Sequence, residues 1–355
     1  MSPYRRSSPS QRALPLPDWP KVDRNSWHAA QEAAGVLDDG GAASHLNALT
    51  RRDLTRRYAY FLSFVASQGK LDLEAPAAAT VTEQNVLNYV QFLQQHVSSV
   101  TLAQSINKIS RVADFLAPQR DWRWLRRLAR RLELRAKPRD KRNEVVSIRE
   151  LFQLGQQLMD QAEKSTSATN SFRALLFRDG LIIALLAADP LRLANATAQE
   201  IGRTIIKDGT TWSIQIPPEE TKAGRLHLAI LPDWSTRCID RYVQHYRTFL
   251  ANTEPTNRLW LSDVGRPLTS DEFYRLVCKR TLDAFGKRVN PHLFRSCLAT
   301  STAVHHGAHI GLAMTVLDHT SIEVTERYYN QAKMIDAVRT YQDLLLADGP
   351  SEERT

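Results

Sequence analysis

A histidine and an arginine stand three positions apart at His292 and Arg295, in the stretch from Asn290 to Asn330. A second histidine, His319, closes an apolar run, and two adjacent tyrosines, Tyr328 and Tyr329, follow. Residues three apart at the start of a helix share one face. Such a face can grip a single phosphate, with arginine as a bidentate fork and histidine as donor or proton carrier. A tyrosine a few turns later could attack that phosphate. Its hydroxyl titrates near about 10, so it needs an arginine-rich site or a base to act as a nucleophile.

The same stretch holds His305, His306 and His309, which invite a metal reading. Gly307 breaks the helical spacing between them, and no carboxylate partners them, so metal ligation is set aside. They are expected at a helix C-terminus, where a cation is favoured. Three cysteines, Cys238, Cys278 and Cys297, are widely spaced and form no CxxC pair. That excludes a disulfide framework or a cysteine zinc site as the organising principle and points to a reducing compartment. No metal and no cofactor is expected.

The elements that must position these residues are mostly helical. The 355 residues leave room for two domains, and 43% apolar content is enough for ordinary cores. Lys and Arg number 47 against 38 Asp and Glu, a net charge of +9, which favours a polyanionic partner. The excess is concentrated between 120 and 142. No apolar run reaches the roughly 18 residues of a membrane span, and the N-terminus has arginines but no apolar signal core.

Residues 1–44 read as an N-terminal arm, with a short helix over Asn25–Ala34 carrying Trp27. From 45 to 136 the pattern is helical throughout and predicts four helices. Leu54, Tyr58, Phe61 and Val65 mark the first, which Gly69 closes. Thr82 caps the second, with Val86, Val90, Leu93 and Val97 on one face. Leu102, Ile106, Ile109, Ala113 and Leu116 mark the third. Trp122, Leu125, Leu128 and Leu132 mark the fourth, opposed by arginines. Arg123–Arg135 holds six arginines and one glutamate, and with Lys137 and Arg139 of the linker it makes a candidate phosphate-tracking face: Arg123, Arg126, Arg127, Arg130, Arg131, Lys137 and Arg139. Residues 137–146 form a basic linker.

A second domain spans 147–332. Ser147 and Glu150 form a capping box, and Phe172–Ala188 is apolar nearly all round, as in a buried helix stopped by Asp189-Pro190. Between 205 and 232 the period changes to that of strands. Asp208-Gly209 marks a hairpin, and a third strand over Leu226–Ile230 completes a small antiparallel sheet. Lys222 sits in the polar loop before that strand, with Arg225 and Lys207 as nearby competitors. Residues 333–355 hold a one-sided helix and tail.

This order resembles the tyrosine recombinase (phage integrase) family over roughly residues 45–332. The features that carry the resemblance are an arginine after a buried helix (Arg192), a lysine in a β-turn (Lys222), His292-x-x-Arg295, Leu317-x-His319, and a tyrosine nine residues on (Tyr328). The resemblance implies a mainly α fold: an N-terminal helical core-binding domain and a mostly helical catalytic domain with a small three-stranded antiparallel sheet. It implies site-specific cutting and rejoining of double-stranded DNA through a 3′-phosphotyrosyl intermediate and a Holliday junction. Tyr328 would be the nucleophile, with Arg192, Arg295 and His319 on the phosphate, His292 assisting proton movement and Lys222 protonating the leaving oxygen. It further implies a homotetramer joined through the C-terminal helix, in the cytoplasm at the nucleoid, with the need for accessory DNA-bending or recombination proteins left open.

The chain departs from the family pattern twice. Asn195 stands where a glutamate is usual, and Asp318 where a glycine usually precedes His319. Asp318 either adopts the positive φ that glycine permits or pairs with His319; both readings stay open. So do two other functions: a type IB topoisomerase-like relaxing enzyme, and a DNA-binding protein with degenerate catalysis.

Overall fold

The computed structural model describes residues 12–305, apart from 36–38, 140, 141, 167, 223 and 252–254, and divides the chain into two units, Met1–Asp140 and Lys141–Thr355.

The first unit is built from α1 (Lys21–Gln31), α2 (Ala48–Ser67), α3 (Glu83–His96), α4 (Ser99–Leu116) and α5 (Arg123–Arg135). Side-chain caps start three of them: Asn47 accepts from the Thr50 N–H at 2.8 Å, Thr82 from Asn85 at 3.2 Å and Ser98 from Thr101 at 3.2 Å. The apolar stripes turn inward as the periodicity predicts. Leu54, Tyr58, Phe61, Val86, Leu93, Ile106, Ile109 and Leu125 are all buried in one core.

Two expectations are corrected here. The unit has a fifth helix, α1, which begins at Lys21 rather than Asn25. The described part of the expected arm also belongs to the core: Trp19 and Trp27 are buried, and Trp27 Nε1 donates to Thr55 Oγ1 at 3.0 Å. Truncating a tryptophan so placed costs about 3–5 kcal/mol, so this segment is part of the domain and not an appendage to it. Asp23 of α1 anchors it further. Its carboxylate accepts from Tyr58 Oη at 2.7 Å and from the Ala78 N–H at 2.6 Å. Ala78 has a φ of 54°, a conformation that costs an L-residue energy unless its surroundings hold it. Arg120 grips the other side of that residue through its carbonyl oxygen at 3.1 Å.

The second unit begins with α6 (Ile148–Lys164), opened by the Ser147/Glu150 capping box, and α7 (Asn170–Ala188). These two helices pack backbone against backbone. A Cβ placed on Gly180 would lie 2.6 Å from the Gly155 carbonyl oxygen, and one on Gly155 would lie 2.7 Å from that of Gly180. Only glycine permits such an approach. α7 is buried from Leu176 to Ala187, including Arg178 and Asp179.

A short helix, α8 (Leu193–Thr197), leads to the sheet β1 (Ile205–Asp208), β2 (Thr211–Ile216) and β3 (His227–Ile230). The order is β1-β2-β3, antiparallel throughout, with Asp208 opposite Thr211 and Ile216 opposite His227. Gly209 takes a φ of 55° in the hairpin. β3 faces the opposite way to that suggested by its apolar residues: Leu228 and Ile230 are exposed, and His227 and Ala229 point inward.

α9 (Asp233–Arg241), α10 (Ser270–Phe285) and α11 (Pro291–His305) complete the described unit. α10 has a capping box of Thr269 and Glu272 and ends at Gly286, whose φ is 64°. Among the described residues no helix is long and apolar enough to cross a membrane.

Candidate active site

The end of α7 organises the site. The Asp189 N–H closes the helix on Leu185 O at 2.7 Å, and Pro190 cannot continue it. The turn then delivers Arg192 to the N-cap of α8, half-buried. Asp189, Pro190, Leu191, Arg192 and Asn195 line a small concavity together with Thr221, His227 and Arg295.

Arg295 arrives from the first turns of α11, where Pro291 stands at the helix start. It is only 8% exposed. Its Nη1 donates to the Pro190 carbonyl oxygen at 3.0 Å, across 105 residues of sequence. A guanidinium so poorly hydrated gains more from an anion than one in water does. Arg192 and Arg295 thus line one cavity.

Lys222 is exposed beside this cavity rather than lining it. Its loop is pinned. Thr221 Oγ1 donates to the Arg225 carbonyl at 2.7 Å and accepts from the Arg225 N–H at 3.0 Å. Gly224 supplies the positive φ of 66° that closes the turn. Lys207, a competitor for the same role by sequence, pairs with Asp240 at 2.8 Å and 2.9 Å. His292 shares the start of α11 with Arg295, but its side chain is exposed and does not line the cavity. His319, Tyr328, Tyr329 and the expected C-terminal helix lie outside the described residues, as do Asp318, His306 and His309.

Two residues with site chemistry escaped the sequence reading. His227 Nε2 lies 2.8 Å from Asp189 Oδ2, and both line the cavity. Asp189 reads in the sequence as a helix stop, and His227 as one more residue of an alternating strand. The signal that marks them is a polar residue at each of two places where an apolar element meets a polar turn. α11 also carries Cys297, whose thiol burial pushes up to about 11. It is therefore protonated at neutral pH and is no competing nucleophile.

In the first unit, Leu125 and Ala129 bury one face of α5, and Arg123, Arg126, Arg127, Arg130, Arg131 and Arg135 are exposed on the rest. They are not equivalent. Arg123 pairs with Asp121 at 2.7 Å, Arg126 with Asp114 at 2.6 Å and Arg130 with Glu133 at 3.5 Å. Arg127, Arg131 and Arg135, spaced four apart along one side, have no carboxylate partner among the described residues. Lys137 and Arg139 are exposed just beyond.

The pattern described as the phage integrase family matches residues 154–334. The chain is 27% identical over 158 residues to the tyrosine recombinase XerD of Staphylococcus haemolyticus (strain JCSC1435), covering 44% of this chain and 51% of that protein. It is 24% identical over 175 residues to the tyrosine recombinase XerC of Lactobacillus delbrueckii subsp. bulgaricus (strain ATCC BAA-365 / Lb-18), covering 48% and 56%. The chain thus spans about half the length of the curated relatives it matches. Its fold is similar to that of the XerH site-specific recombinase bound to difH substrate in a pre-cleavage complex, with a TM-score of 0.54, 14% identity, and coverage of 92% of this chain and 99% of that one. It is also similar to the Tn1549 transposon integrase (aa 82-397) in complex with circular intermediate DNA, with a TM-score of 0.52, 13% identity, and coverage of 81% and 91%.

Proposed function

The chain belongs to the phage integrase family, and from that premise we propose that it is a site-specific DNA recombinase that cuts and rejoins strands through a covalent tyrosine intermediate. The observation that carries this reading is the convergence of Arg192 and Arg295 on one cavity. Paired guanidiniums, one of them nearly buried, suit a phosphodiester whose non-bridging oxygens gain charge in the transition state.

In this reading the Tyr328 oxygen bonds to phosphorus as the bond to the 5′-oxygen breaks. The tyrosine proton passes to His292, and Lys222 protonates the departing 5′-oxygen. The product is a 3′-phosphotyrosyl link and a free 5′-hydroxyl. A 5′-hydroxyl from a second duplex reverses the attack, and two such exchanges pass through a Holliday junction. Phosphate energy is kept in the phosphotyrosine, so the exchange is isoenergetic. His319 completes the phosphate contacts. Lys222 is exposed on a pinned loop next to Thr221, which lines the cavity, and this supports the acid role. The exposed arginines of α5 supply contacts to the duplex backbone, and four protomers assemble on paired sites through the C-terminal helix.

The test is covalent capture. Wild-type protein incubated with genomic DNA and denatured should carry DNA on Tyr328. Tyr328→Phe should carry none, while Tyr329→Phe still does. Adducts that persist in Tyr328→Phe would move the nucleophile; no adduct from the wild type would remove the enzymatic reading.

A further inference from the structure

The cavity that holds two arginines also holds a carboxylate. Asp189 is 8% exposed and lines the same surface as Arg192 and Arg295. An uncompensated anion there repels a phosphodiester, and the repulsion grows as the phosphorus becomes pentavalent. The histidine of β3 answers it: His227 Nε2 sits 2.8 Å from Asp189 Oδ2, with Arg192 and Arg295 as the other charged groups around the cavity.

We propose that His227, carrying a proton opposite Asp189, is a further phosphate-site residue whose charge cancels that carboxylate during strand cleavage. This rests on the recombinase reading above. Charge bookkeeping supports it. Among the residues that line the cavity, Arg192, Arg295 and protonated His227 against Asp189 leave two positive charges to face the negative charge that builds on the phosphate. With neutral His227, one remains. Asp189 has a second use that explains its place. It begins the turn whose next carbonyl, that of Pro190, accepts from Arg295, so the carboxylate fixes His227 to the segment that also fixes the arginine. No covalent step is added. His227 acts on the phosphate through charge and hydrogen bonding, and Tyr328 and Lys222 keep their proton and bond roles.

The experiment uses full-length protein and nicked suicide duplexes carrying the sequence that the wild type captures covalently from genomic DNA. Four variants are compared with the wild type: His227→Gln, Asp189→Asn, the Asp189→Asn/His227→Gln double variant, and His227→Lys. Adduct formation at saturating DNA should slow by about 10–100-fold in H227Q, the range for loss of one electrostatic contact to a developing charge. The double variant should recover at least about tenfold over H227Q, because removing the carboxylate removes the need for its counter-charge. H227K, which keeps a cation opposite Asp189, should stay within about tenfold of the wild type. Loss of packing alone predicts no recovery in the double variant. The inference is overturned if H227Q cleaves like the wild type, if the double variant is no faster than H227Q, or if folded H227K is as slow as H227Q. Thermal melts confine the comparison to folded protein, and H227K against D189N decides it should H227Q melt below the assay temperature. Wild-type protein that captures no DNA overturns the recombinase reading and this inference together.

Discussion

Arg280 of α10 donates from Nε and Nη2 to Asp179 Oδ2 at 2.9 Å and 2.8 Å, while Asp179 Oδ1 accepts from Arg178, its neighbour on α7. Arg178 also reaches the Leu261 carbonyl at 2.5 Å. One carboxylate therefore joins two helices and a loop. Arg178 is 6% exposed, so removing Asp179 strands a buried cation. Asp179→Ala should lose about 3–5 kcal/mol and melt about 10 °C lower. Arg280→Ala, which leaves the Arg178 pair intact, should lose about 1–2 kcal/mol. Differential scanning calorimetry of both variants checks the order; equal losses would show that Arg178 does not depend on Asp179.

Glycine to alanine inside a helix ordinarily stabilises by about 1 kcal/mol. At Gly180 the sign should reverse, because the new Cβ meets the Gly155 carbonyl oxygen at 2.6 Å and both are backbone-fixed. A loss of about 2–3 kcal/mol is expected, read from urea unfolding. α7 ends at the Asp189 turn, so covalent capture of DNA should fall with it. A stabilised Gly180→Ala would mean that α6 and α7 can move apart at little cost.

Much of this architecture was legible in the sequence, for physical reasons that differ by element. The stripes of α2 to α5 follow a period of 3.6, and Thr82 and Ser147 announce helix starts by short-range hydrogen bonds that need no tertiary context. Arg295 was legible from its spacing to His292, but its partnership with Arg192 only through the resemblance, since nothing local says that residues so far apart meet. The Asp189–His227 pair was not legible. Each member sits where its own element changes character, and the contact is set by how β3 folds back on the end of α7. The outward face of Leu228 and Ile230 escaped for a related reason: alternation identifies a strand but not which of its two faces meets the core. The core role of Trp19 and Trp27 was hidden by a Ser, Pro and Arg-rich leader that suggests an arm.

The arginines of α5 should divide into two classes. Replacing Arg127, Arg131 and Arg135 together by alanine should reduce the slope of log affinity against log salt by about 2–3, near 0.9 for each lost phosphate contact. Replacing Arg123, Arg126 and Arg130, which already share Asp121, Asp114 and Glu133, should reduce it by about 1. Duplex binding across a salt series checks this, and equal slopes would show that the carboxylates yield to DNA.

Arg295→Lys keeps the charge but cannot serve the Pro190 carbonyl and a phosphate with the same planar fork. Adduct formation should drop by about 10²–10³-fold, with duplex affinity changed by less than about threefold, since most of that comes from backbone contacts elsewhere. Cleavage near the wild-type rate would show that charge alone suffices at this position.

Glu272 gives the second unit an acid-sensitive joint. Hydrogen bonds from Arg266, and then from Thr269, hold its carboxyl down to about 2, against 4.5 when unperturbed. A folded value below the unfolded one means the stabilisation is present above 4.5 and is lost as pH falls from 4.5 towards about 2. The group is partly solvated, so the effect is on the order of 1 kcal/mol. Glu272→Gln should melt lower than the wild type at neutral pH, and the gap should narrow across that window. A gap that does not change with pH would assign the loss to the helix cap alone.

The hydrogen bond from Arg295 to Pro190 also bears on the order of synthesis. The turn at Asp189–Arg192 leaves the ribosome long before α11 does, and the nucleophile proposed at Tyr328 is made later still. On the proposed reading, a chain that stops before α11 lacks Arg295, and the Pro190 carbonyl at the Asp189 turn is left without its guanidinium donor.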